Sequence, residues 1–150
     1  MSFFIIAVFI LGIAYTAYLP FHALGITWMG TLYKPTFAPP GWLESVVWPI
    51  LYLLMSTSLW LIWQKKEEQP INIALWTFLL QYLVNISWGP VIINMQDINL
   101  SMLYICALFP LVLINTRVFW HISESAGLLL VPNVLWTFYL LCVQTTIWLH

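Results

Sequence analysis

The residues of this chain whose types and spacing could do chemistry are aromatic. Trp48, Trp88 and Trp136 sit inside apolar runs, with Tyr104, Tyr18 and Asn85 nearby in depth and Trp28 in a loop that would cover them. Indoles and phenols each offer a flat apolar face and one polar handle, a combination that suits a flat, largely apolar ligand carrying a few polar groups. A competing reading is open for every one of them. Trp60, Trp63, Trp76, Trp120 and Trp148 fit the aromatic belts of a membrane protein, and Trp48, Trp88 and Trp136 could be packing alone. Asn85 could equally join one helix to another.

Other chemistries find no residues. No Asp, Glu, Lys, Arg or His falls in the middle of an apolar run, so proton-coupled pumping, which uses intramembrane ionisable groups, is disfavoured. A hydrolytic triad has no base there. His22, His121 and His150 share no metal-ligand spacing, so no metal site is expected. A net charge of −1 without a basic patch argues against nucleic acid as a partner.

The elements that must position these aromatics are membrane helices. Of 150 residues, 63% are hydrophobic and 6% charged, with a mean hydropathy of +0.94; soluble chains carry about a quarter charged residues. About 20 helical residues cross the hydrocarbon, and five runs are long enough: residues 3–23, 42–63, 71–93, 100–119 and 123–149. The first has no preceding Lys or Arg and is too long for a signal peptide, so it is read as a retained helix. The expected architecture is an all-α, five-helix membrane bundle, a single domain over residues 1–150. Cys106 and Cys142 lie in apolar runs and read as buried free thiols rather than a disulfide.

Between the first two runs, residues 34–41 contain Pro35, Pro39 and Pro40. Each fixes φ and removes a backbone donor, so this stretch cannot be regular helix. Its stiffness suits a structured loop held over the mouth of the bundle. Glu44 follows in the first turn of the second run, where a carboxylate favours the positive end of a helix dipole. Pro20, Pro49, Pro90, Pro110 and Pro132 add one proline per run, and those at 49 and 90 could shape a cavity.

Depth follows from the helical rise. Trp48 lies about 9 Å below the Trp42 end, Trp88 about 8 Å below the Ile93 end, and Trp136 about 20 Å from Leu149. Lys65, Lys66 and Arg117 fall on the face that carries the amino terminus and Lys34 on the other. The positive-inside bias then puts the amino terminus in the cytoplasm.

Four ordered motifs carry a resemblance. They are residues 34–42 (KPTFAPPGW), 48–55 (WPILYLLM), 85–90 (NISWGP) and 130–136 (LVPNVLW), followed by Trp148. Together they resemble the tryptophan-rich sensory protein/translocator protein (TspO/MBR) family over nearly the whole chain. The resemblance implies a five-helix bundle whose first loop lids a pocket, with porphyrins and haem as ligands and no intrinsic cofactor. It implies cholesterol and benzodiazepine-type drugs as ligands of animal members. Trp48 and Trp136 would be the pocket indoles, Tyr52 and Trp88 aromatic walls, and Asn85 a polar contact. Trp28 and Pro39 would belong to the lid, and Tyr104 and Leu140 complete the expected ligand-binding set. This chain departs from the family pattern at Phe37, where Trp is usual, at Asn133 for Tyr, at Tyr104 for Asp and at Gln144 for Asn. After Tyr139 no Lys or Arg follows, so the carboxyl-terminal sterol pattern is missing. Small-residue spacing is poor in the third run, where Phe78 follows Ala74 by one turn, so the homodimer that the resemblance implies as a partner stays open here.

The expected function is a multi-pass membrane protein that binds a tetrapyrrole, as sensor or carrier, with membrane lipids around it. The resemblance implies the plasma membrane in a bacterium and the mitochondrial outer membrane in a eukaryote. Two alternatives stand beside it. One is light- and oxygen-dependent degradation of porphyrin, in which Trp48 and Trp136 would act chemically. The other is a lipid or sterol conduit without chemistry.

Overall fold

The computed structural model describes Ile6, Ala7, Ile10, Leu11, Ile13, Ala14, Trp28 and residues 30–150, the side chains of Pro90 and Ile93 excepted. Regular structure among these residues is helical throughout. Four helices follow in order: α1 (Gly41–Gln64), α2 (Asn72–Met95), α3 (Ile98–Ile122) and α4 (Glu124–Trp148). They match the second to fifth expected runs. Three of them, α1, α3 and α4, are long and apolar enough to cross a membrane. At 24 residues α2 has the length as well, its apolar run broken by Gln81 and Asn85.

Local sequence sets each boundary. Residues 31–40 are turn and extended backbone, and α1 starts immediately after Pro40, whose φ of −66° and ψ of 146° are extended. The α2–α3 turn is shorter than the expected residues 94–99. Gln96 takes a left-handed φ of 49°, and its N–H bonds the Ile92 carbonyl at 2.8 Å. Asp97 then caps α3 by accepting from the N–H groups of Asn99 and Leu100 at 2.8 and 3.4 Å. A carboxylate there satisfies donors that no helix can. Ser123 alone links α3 to α4. Its N–H closes one helix on Phe119, and its Oγ accepts from Ala126 N at 3.4 Å to open the next. Close by, Gly127 leaves room for Trp120, since a Cβ on it would lie 2.8 Å from the Trp120 Cα.

The packing runs in a ring: α1 against α4, α4 against α3, and α3 against α2, while α1 and α2 barely touch. Between α1 and α2 sit residues of the expected first span. Ile6 and Ile10 are buried with Tyr52, Met55, Phe78 and Tyr82, and the Tyr82 hydroxyl donates to the Ile10 carbonyl at 3.0 Å. Ile6, Ala7, Ile10, Leu11, Ile13 and Ala14 are all helical. The remainder of that span, with Tyr18, Pro20 and His22, lies outside the described residues. A second cluster, Ile105, Leu108 and Val112 with Leu140 and Val134, fills the α3–α4 seam.

Two cross-links identify the ends of the bundle. Gln69 Nε2 donates to the Ile122 carbonyl at 3.2 Å, joining the α1–α2 link to the α3–α4 hinge. At the other end, Trp148 Nε1 donates to Asn99 Oδ1 at 2.8 Å. One expectation needs correction. Cys106 and Cys142 are free but exposed on the outside of the bundle, not buried. An apolar run in lipid is apolar on its outer side too, so hydropathy does not distinguish the two faces. Ala74 and Phe78, by contrast, both point into the core, and neither is offered to a second copy.

Candidate aromatic site and its loop

An open, predominantly apolar groove of about 530 Å³ runs between α1 and α4. Leu43, Val47, Ile50 and Leu51 form one wall, and Pro132, Leu135, Trp136 and Tyr139 the other. Its size is in the range of small-molecule sites. Trp136 and Tyr139 are in ring contact at 5.3 Å, which stiffens that wall. The Trp136 ring is partly exposed, yet its Nε1 is buried without a hydrogen-bond partner. Placing Trp136 and Tyr139 three positions apart puts both rings on one side of α4.

A second aromatic group lies inside. The Trp48 ring meets Tyr52 at 5.9 Å, Tyr52 meets Tyr82 edge-on at 6.2 Å, and Tyr82 stacks on Phe78 at 6.1 Å. Phe78 in turn stacks on Phe119 of α3 at 6.0 Å. Tyr52 is buried and Trp48 packs against the same cluster. Edge-on and offset geometries of this kind are favoured by the ring quadrupoles.

The loop is tied to the groove wall at Tyr139. The Tyr139 hydroxyl donates to the Phe37 carbonyl at 2.6 Å, and Tyr33 stacks on His150 at 4.3 Å. Pro39 is half-buried in this loop, and Trp28 is bonded through its carbonyl to Thr31 N and Oγ1 at 3.0 and 2.6 Å.

The expected site residues therefore divide. α1 and α4 do pack together, as a shared pocket for Trp48 and Trp136 requires, but only Trp136 lines the groove. Trp48 faces Tyr52 instead. Asn85 has a buried Nδ2 with no partner. The Tyr104 hydroxyl lies 3.5 Å from Ser87 Oγ, a contact between α3 and α2. Trp88 is half-buried on α2, and Leu140 belongs to the α3–α4 seam rather than to the groove. Tyr139, Tyr82 and Gln81 were missed. Each stands three or four positions from an expected residue on the same helix side (Trp136 for Tyr139, Asn85 for Tyr82 and Gln81), and that spacing was the available signal.

These features are distributed across the chain as the resemblance requires, and comparison with known proteins decides the matter. The profile of the TspO/MBR family matches residues 3–149. The chain belongs to the TspO/MBR family. Among its relatives is the tryptophan-rich protein TspO of Chlorobaculum tepidum, 33% identical over 110 residues, covering 71% of this chain and 68% of the relative. Protein CrtK of Rhodobacter capsulatus is 30% identical over 124 residues, covering 81% and 76%. The human translocator protein is 24% identical over 131 residues, covering 85% and 76%. The family and the apolar helices make this a membrane protein.

Proposed function

We propose that this chain binds a flat, largely apolar tetrapyrrole, porphyrin or haem, inside the membrane and acts as its sensor or carrier. The observation that carries the reading is Trp136 on the wall of an apolar groove whose neighbouring wall residue, Tyr139, is hydrogen-bonded to a proline-rich loop. A planar ring system would stack on the exposed indole and bury its faces against Val47, Leu51 and Leu135. Family membership supports the same ligand class. The helical Ile6, Ala7, Ile10, Leu11, Ile13 and Ala14 support a fifth span, and the basic residues at the hinge end favour an amino terminus in the cytoplasm of a bacterial host. The test is a dark titration of the purified protein in lipid nanodiscs with protoporphyrin, read by Soret absorbance. A saturable red shift that Trp136→Ala weakens is expected; no shift in the wild-type protein would remove the reading.

The contacts among Trp48, Tyr52 and Tyr82 favour a second reading, light-dependent chemistry on the bound porphyrin. An indole in contact with a phenol that itself meets a second phenol is a readily oxidised donor. Illumination in air should then bleach the Soret band faster with protein than without it, and Trp48→Phe should slow the bleaching.

A further inference from the structure

Arg117 places a positive charge on the lipid side of a membrane helix. It stands on α3 about 8 Å from the Ile122 end, exposed on the same side as Cys106 and Leu113. Val112, Asn115 and Phe119 take the opposite side, inside the bundle. Among the described residues the cations at this end divide. Lys65 pairs with Glu68 at 2.8 Å and Lys66 lies 3.7 Å from Glu67, whereas Arg117 has neither an ion pair nor a hydrogen bond. Hydrocarbon penalises an unpaired charge, so a long basic side chain near a helix end extends to the level of the lipid headgroups.

Two further residues share that side of the last turn. Trp120 and His121 follow Arg117 at the third and fourth positions, the indole 41% exposed and the imidazole exposed as well. The indole is held in place from behind: a Cβ on Gly127 of α4 would lie 2.7 Å from Trp120 Cε3. A ring already fixed at the interface loses little freedom when a lipid lies against it, and indoles favour the headgroup level. Cations in a last turn can instead serve the helix's own end, whose carbonyls carry partial negative charge. Here other donors reach those carbonyls. Ser123 N–H bonds the Phe119 carbonyl at 2.8 Å and Gln69 Nε2 the Ile122 carbonyl at 3.2 Å. Neither Arg117 nor His121 is spent on capping.

We propose that Arg117, Trp120 and His121 bind the phosphodiester group of an anionic phospholipid at the hinge end of α3. The guanidinium presents a planar fork of donors that matches phosphate oxygens, and the imidazole adds a donor one turn nearer the water. Trp120 lies beside the glycerol ester level, and Leu113, 42% exposed one turn deeper, lies along an acyl chain. A choline headgroup would bring a second cation to a site whose own charge is positive, so anionic headgroups are favoured. The site rests on α3 as a membrane span and is independent of the tetrapyrrole reading.

The test titrates the full chain, delipidated in a non-ionic detergent, with phosphatidylglycerol, phosphatidylcholine of the same chains, or inorganic phosphate. Native mass spectrometry counts what is retained. The wild-type protein should hold one phosphatidylglycerol that Arg117→Gln binds about tenfold more weakly, with part of the loss restored in Arg117→Lys. That lipid should raise the thermal midpoint of the wild-type protein but not of Arg117→Gln, the two being equal before lipid is added. His121→Gln should weaken the same lipid and carries the test if Arg117→Gln does not fold. Equal retention of phosphatidylglycerol by wild-type and variant proteins overturns the site. Equal affinity of the wild-type protein for phosphatidylcholine overturns its choice of headgroup. Inorganic phosphate bound as tightly as phosphatidylglycerol overturns the lipid as occupant.

Discussion

The Tyr139 hydroxyl donates to the Phe37 carbonyl at 2.6 Å, so the helix that lines the groove also anchors the loop. A hydrogen bond of this kind contributes about 1 kcal/mol net. We expect Tyr139→Phe to speed ligand release about fivefold, with little change in thermal stability, since the ring contact with Trp136 remains. Replacing Pro39 and Pro40 with Gly should act in the same direction by raising the entropy lost when the loop orders. Stopped-flow dissociation of protoporphyrin measures both, and unchanged release rates in both variants would show that the loop does not gate the groove.

The two indoles occupy different surroundings, and their substitutions should differ accordingly. Trp136→Ala removes an apolar wall of the groove and should weaken planar-ligand binding by about 2–3 kcal/mol. Trp48→Phe keeps a ring beside Tyr52 and should cost about 1 kcal/mol or less. Because Trp48 does not line the groove, the two effects should add to within about 0.5 kcal/mol in the double variant. Titration of the four proteins in one lipid gives the cycle; a larger coupling would return both indoles to one shared pocket.

Gly127 lies against the Trp120 backbone, and the contact is too tight for any side chain. Gly127→Ala gains about 1 kcal/mol in helix propensity and meets a Cα that cannot rotate away. Overpacking of this kind costs about 1–3 kcal/mol, so a net fall in thermal midpoint is expected. A midpoint at or above the wild-type value would mean that the hinge yields freely.

The Ser58 hydroxyl donates to the Ala126 carbonyl at 2.7 Å, a buried link from α1 to α4. Interhelical hydrogen bonds in membranes average about 0.6 kcal/mol. Ser58→Ala should therefore lower stability by roughly that amount, and Ser58→Val by more because of its added bulk. Steric-trap or denaturant unfolding in mixed micelles resolves the pair, and equal stability of all three proteins would contradict a joint at this position.

How much was legible depended on which coordinate was asked for. Positions along each helix were readable, because prolines at 35, 39 and 40 end regular structure and an apolar run has a length. α1 begins one residue before the expected Trp42. Rotation about each helix axis was not readable. A helix surrounded by lipid and by other apolar helices is hydrophobic on every side, so nothing in the sequence said that Trp48 faces Tyr52 while Trp136 faces the groove. The exposed Cys106 and Cys142 follow from the same ambiguity. The α2–α3 turn was overestimated because Gln96 in a left-handed conformation reverses the chain in two residues, a conformation more usual for Gly or Asn. The unpartnered amides were half visible: Asn85 stood out alone, but the burial of Gln81 and Asn133 appears only when helix sides are known.

Ser123 is the whole link between α3 and α4. A ribosome delivering this chain has no tether with which to leave one of these helices in water while the other enters the bilayer. The two must insert together as a folded hairpin, and any lengthening of that link would give the translocation machinery a choice of orientation that the native chain never offers.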